Sequence, residues 1–179
     1  MKKGLKRFCF ILGGARSGKS TFAQRLAETA AREGGLRPVY LATARVLDGE
    51  MEQRVAAHRK SRGGEWTTIE EPVDLVSRLE GQRAPSVVLI DCLTLWLSNL
   101  IEEGLTDDAI LRATERLADA CAALDSPVIA VSNEVGCAIV PDNPLGRRFR
   151  DLAGLANQRM AARADEVFFI AAGIALKMK

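Results

Sequence analysis

Histidine is almost missing from this chain: His58 is the only one in 179 residues. Cys9, Cys92, Cys121 and Cys137 are scattered without a C-x-x-C pair. A zinc-type centre needs clustered nitrogen and sulfur donors, so this composition argues against one. Two of the cysteines fall in apolar, strand-like runs and read as buried, reduced thiols of a cytoplasmic protein. Charge of one sign is also lacking, since the formal net charge is only +2. No basic tail or block gathers the Lys and Arg residues, which excludes a dedicated nucleic-acid binder. Long apolar runs are absent too, because Asp91 and Thr94 interrupt the longest hydrophobic region, and no membrane span is expected. The basic start, Lys2, Lys3, Lys6 and Arg7, resembles a secretion signal, but the apolar run behind it is too short. That run also leads straight into a glycine-rich loop whose removal would destroy the most informative motif of the chain.

The motif is Gly13-Gly14-Ala15-Arg16-Ser17-Gly18-Lys19-Ser20, preceded by the apolar stretch Phe8 to Leu12 and followed by an amphipathic helical pattern. Strand, glycine loop and helix are the context a P-loop requires. Glycine lets the backbone wrap closely around phosphate oxygens. The helix after the loop points unpaired N–H groups at the same anion. Lys19 is placed to reach the β- and γ-phosphates of ATP or GTP, and the Ser20 hydroxyl to ligate Mg²⁺.

Apolar segments alternate with helical patterns along the rest of the chain. Strands are expected over 8–13, 39–43, 66–70, 87–91, 128–132 and 167–171. Helices are expected over 19–32, 49–62, 73–80, 94–103, 107–123 and 145–164. Near-continuous apolar strands are typical of parallel sheets buried on both faces. The pattern predicts one α/β domain over 1–179, a mostly parallel sheet with helices on both faces. The strand ending Leu89-Ile90-Asp91 adds a second nucleotide-binding element. Lying beside the P-loop strand, it would bring Asp91 to the magnesium shell, although acidic residues at strand ends are common. An Asn-Lys-x-Asp guanine motif is lacking, and the Asp-x-x-Gly at Asp151 to Gly154 falls in a helical pattern, so a GTPase switch is not expected.

His58 sits in a helical pattern capped by Asp48. At roughly 100° per residue, Met51, Arg54, His58 and Arg62 share an arc of about 80°. Flanking guanidiniums disfavour protonation of the imidazole and can grip phosphate. On this geometry alone, a solvated helix surface with an incidental histidine is the commoner explanation.

Several blocks together carry a resemblance that spans nearly the whole chain. They are 13–20, 40–48, Glu50-Met51, Arg54 to His58, 132–136, 139–143, 148–154 and Asn157-Gln158. The chain resembles the bifunctional adenosylcobinamide kinase/adenosylcobinamide-phosphate guanylyltransferases of cobalamin biosynthesis. The resemblance implies RecA-like P-loop subunits in a homotrimer. It implies two reactions, phosphorylation of adenosylcobinamide and transfer of GMP from GTP, the latter through a GMP–histidine at the position of His58. The family often has two adjacent histidines, where this chain has Ala57-His58, and often Glu where it has Asp91. Further nucleotide contacts are implied at Thr43, Ala44, Arg45, Ser61, Arg62, Gly63, Gly64 and Glu70. A single-activity P-loop kinase and a nucleotide-dependent binding module remain the alternative readings of the residues.

Overall fold

A computed structural model describes residues 8–45, 65–82 and 85–179. The chain runs β1 (Phe8–Gly13), α1 (Lys19–Gly34), β2 (Arg37–Ala42), β3 (Thr67–Glu70), α2 (Leu75–Glu80), β4 (Ser86–Asp91), α3 (Leu93–Glu102), α4 (Asp107–Ala123), β5 (Val128–Val131), α5 (Pro144–Arg163), β6 (Glu166–Ala171) and β7 (Ile174–Lys177). The strands form one seven-stranded sheet in the order β3-β2-β4-β5-β1-β6-β7. Every pairing is parallel except β6 with β7.

Side-chain alternation splits the core in two. Phe8, Phe10 and Leu12 of β1 face one cluster, which the apolar stripes of α2, α3, α4 and α5 cover with residues such as Leu79, Leu97, Leu117 and Met160. Cys9 and Ile11 face the other, which α1 closes with Ala23, Ala27 and Ala30. Small residues at that spacing let α1 lie close to the sheet, which holds its N-terminus over the strand ends.

The helices begin where the caps dictate. Asp74 accepts from the Ser77 amide at 3.2 Å, and Asn143 from Gly146 at 2.7 Å with Pro144 in the first turn. Thr106 accepts from Ala109 at 3.3 Å, with Asp107 and Asp108 beside the positive end of α4. Asp151 and Gly154 both lie in α5, so their Asp-x-x-Gly spelling is helical, as the pattern indicates.

Two features differ from the sequence expectation. β4 does not lie beside the P-loop strand: β5 separates it from β1. β7 is an addition to the expected strands, and it turns back on β6 to form the antiparallel edge of the sheet. The helix expected over 49–62 lies outside the described residues.

Candidate active site

The loop between β1 and α1 rises from the carboxyl end of a central strand, where parallel sheets collect ligands. Its first glycine is required by contact: a Cβ on Gly13 would stand 2.3 Å from the Ile170 carbonyl oxygen of β6. Gly18 caps α1 in the left-handed region at φ 98°, and a Cβ there would come within 3.2 Å of Gly173 Cα. The Gly173 amide also donates to the Ser17 carbonyl at 2.8 Å. The turn between β6 and β7 therefore braces the loop from behind. Sequence reasoning misses this support, although Gly173 between two short apolar runs is its signal.

No side chain caps the start of α1, and no carboxylate occupies its first turn. Its N–H groups stay available for an anion. The Ser17 hydroxyl is buried without a partner among the described residues. A buried unpaired hydroxyl is costly unless a ligand takes it, which fits a phosphate cradle. Ala15 and Arg16 lie at the crest of the loop, with Arg16 at φ 56°.

Lys19 is only 6% exposed, and its ammonium donates to the Gly14 carbonyl at 2.6 Å. Desolvation by burial lowers its pKa, while the nearby Cys92 and Asp91 act in the opposite direction. Despite the intervening β5, Lys19 and Asp91 thus share one electrostatic neighbourhood. Tyr40 donates its hydroxyl to Asp91 Oδ2 at 3.1 Å. Ser20 and Asp91 are both partly exposed. Each carries a hard oxygen of the kind Mg²⁺ takes, and among the described residues no cluster of three or more His, Cys, Asp or Glu builds an all-protein cage. One or two protein oxygens plus phosphate oxygens is how Mg²⁺ is commonly held with nucleotides, so the donor set fits.

The other expected contacts divide. Thr43 is fully buried, and its hydroxyl donates to the Cys92 carbonyl at 2.7 Å and accepts from the Cys92 amide at 2.9 Å. Asn99 donates to the Thr43 carbonyl at 2.8 Å. Thr43 therefore braces the end of β4, with its hydroxyl committed to the backbone. Ala44 is partly exposed beside it, and Arg45 pairs with Glu102 and Glu103 at the end of α3. Glu70 is exposed at the end of β3. His58, Ser61, Arg62, Gly63 and Gly64 lie outside the described residues.

Burial raises the Cys9 thiol to about 12 and the Cys92 thiol to about 11, with Cys121 pushed up further by burial. All three are buried neutral thiols, while Cys137 is exposed.

Residues 9–178 match the cobinamide kinase / cobinamide phosphate guanyltransferase family. The chain belongs to this family. It is 45% identical over 172 residues to the bifunctional adenosylcobalamin biosynthesis protein CobP of Pseudomonas aeruginosa, covering 94% of this chain and 95% of that one. With the corresponding CobU protein of Salmonella typhimurium it shares 38% identity over 182 residues, 94% of this chain and 98% of that one. In fold it is similar to the flagellar accessory protein FlaH of Methanocaldococcus jannaschii, at a TM-score of 0.52 and 16% identity, over 98% of this chain and 80% of that one. A second solved structure, an ATPase domain, gives a TM-score of 0.53 at 17% identity, over 94% of this chain and 71% of that one. These two share its fold.

The contact at Gly13 carries a prediction. Gly13→Ala is expected to force β1 and β6 apart at the loop, costing about 1–3 kcal/mol, as overpacking does. Its melting temperature should fall, and added nucleotide should raise it less than in the wild type. An unchanged response to nucleotide would show that the Ile170 contact does not shape the cradle.

Proposed function

We propose that this protein phosphorylates adenosylcobinamide and then converts the product to adenosylcobinamide-GDP. In the first reaction the substrate hydroxyl attacks the γ-phosphorus of ATP or GTP and the nucleoside diphosphate leaves. Such transfers depend mainly on positioning and charge stabilisation. The α1 N-terminus and the loop amides would hold the phosphates, and Lys19 would leave the Gly14 carbonyl to follow the charge of the migrating group. Mg²⁺, held by Ser20 and Asp91, would neutralise phosphate charge.

In the second reaction, a ring nitrogen of His58 bonds to the α-phosphorus of GTP and pyrophosphate leaves. The phosphate oxygen of adenosylcobinamide phosphate then displaces the imidazole, so one hard transfer becomes two displacements. We place the protein in the cytoplasm as a homotrimer of single-domain subunits; among the described residues no helix is long and apolar enough to cross a membrane.

The observation that carries this reading is a buried P-loop lysine in the same electrostatic neighbourhood as Asp91, in a chain that matches the family over residues 9–178. Incubation with α-labelled GTP tests it: label should stay on the denatured protein and move to adenosylcobinamide phosphate when that is added. Phosphorylation of adenosylcobinamide without any retained label would reduce the protein to a kinase. Nucleotide binding with neither reaction would make it a binding module.

A further inference from the structure

β5 separates the two halves of the phosphate site, and the residues just beyond it are tied to the P-loop strand. The Ser132 amide donates to the Ile11 carbonyl at 2.9 Å and the Glu134 amide to the Gly13 carbonyl at 3.0 Å. Asn133 therefore stands level with the first glycine of the P-loop. On its other side, Val131 is paired with Asp91. β5 itself ends at Val131, so Asn133 stands two residues past the strand end, beside the carboxyl ends of β1 and β4. The residue thus follows the strand that lies between β1, which leads into the P-loop, and β4, which ends at Asp91.

Asn133 is held from two directions. Its Nδ2 donates to Thr94 Oγ1 at 2.7 Å, and Asn157 Nδ2 donates to its carbonyl at 3.2 Å. Thr94 is itself buried, at 5% exposure, and contacts Cys92 Sγ at 3.1 Å. With the amide nitrogen engaged, Oδ1 is the acceptor end of a side chain that is still partly exposed. A fixed acceptor at this place suits a group that arrives bearing a proton; phosphate oxygens bring none at neutral pH once ionised.

We propose that Asn133 Oδ1 accepts a hydrogen bond from the substrate hydroxyl and aligns its oxygen on the γ-phosphorus, with Thr94 as the positioning residue that holds the amide. This rests on the kinase half of the proposed function. In the step, the hydroxyl oxygen forms the new bond to γ-phosphorus. The bond from γ-phosphorus to the bridging oxygen breaks, and its electron pair leaves with the nucleoside diphosphate. The hydroxyl proton passes to water, since an amide cannot keep it.

The test compares both half-reactions in full-length wild type, Asn133→Ala, Thr94→Val and Thr94→Ser. Asn133→Ala should lower kcat for adenosylcobinamide phosphorylation about 100-fold, the scale of a misaligned nucleophile. The KM for ATP should stay within about threefold of wild type, and so should covalent labelling by α-labelled GTP, which involves no incoming hydroxyl. Thr94→Val should reproduce part of the loss, and Thr94→Ser, which keeps the hydroxyl, should restore it. The inference is overturned if Asn133→Ala phosphorylates within about threefold of wild type. Proportional loss of both half-reactions, or of nucleotide affinity, also overturns it, because that is the mark of a merely structural residue. A wild-type protein that phosphorylates no adenosylcobinamide overturns the kinase reading itself, and this inference with it.

Discussion

Lys19→Ala is expected to lower phosphorylation of adenosylcobinamide by about a thousandfold, the scale of removing one preorganised charge contact from a transition state. The structure explains why solvent cannot substitute. The ammonium is 6% exposed and is held at 2.6 Å by a carbonyl of the loop that wraps the phosphates. Burial works against its charge, and among the described residues the loss of this desolvated group takes a hydrogen bond only from the Gly14 carbonyl. The variant should therefore stay folded, with circular dichroism and melting close to wild type. Steady-state phosphorylation, measured with saturating nucleotide, is the deciding assay. A rate near that of the wild type would remove Lys19 from the chemistry and undo the assignment of the loop.

The second large effect is a separation of activities. His58→Ala is expected to abolish transfer of GMP to adenosylcobinamide phosphate while most phosphorylation of adenosylcobinamide survives, because only the transfer needs a side-chain nucleophile. Each step should be assayed with its own substrate supplied separately. The adduct itself should hydrolyse in acid and survive in base, since a protonated imidazole is a good leaving group and a neutral one is not. With one histidine in the chain, peptide mapping has a single expected destination. Label that resists acid, or that maps to a peptide lacking residues 51–62, means another nucleophile. Equal loss of both reactions in His58→Ala would instead give the histidine a structural part.

Local signals are legible in the sequence because local physics makes them. β1 and α4 occupy the expected spans 8–13 and 107–123, the strand bounded by its apolar run and first glycine and the helix begun by the Thr106 cap that the structure shows. The P-loop is readable for the same reason: its glycines, lysine and serine act within eight consecutive residues. The illegible part depends on contacts between distant segments. Nothing in Val87 to Asp91 states that β5 will come between that strand and β1. The bond from the Thr43 hydroxyl to the Cys92 carbonyl, a pairing across 49 positions, has no local signal either. Asn133 is visible as a letter in a family block, but its place level with Gly13 and beside Thr94 depends on strand order. β7 escapes because it is only four residues long, and those residues become a strand by pairing with β6.

The position of β1 also governs when the enzyme can come into being. This first strand finds its neighbours in β5 and β6, and the Phe8 amide bonds to Asp165, 157 residues later. A chain emerging from the ribosome at about 5–20 residues per second would hold its P-loop strand for on the order of ten seconds before β6 exists. Until β5 emerges, Phe8, Phe10 and Ile11, all fully buried at the end, have neither neighbouring strand, and until β6 emerges one flank of β1 stays unpaired. Closure over such a separation is slow, and an apolar strand awaiting its partners is prone to stick to other chains. The phosphate cradle, written early in the message, is thus among the last parts to be assembled. An early-terminated product ending before β6 would carry an intact P-loop sequence and no working nucleotide site.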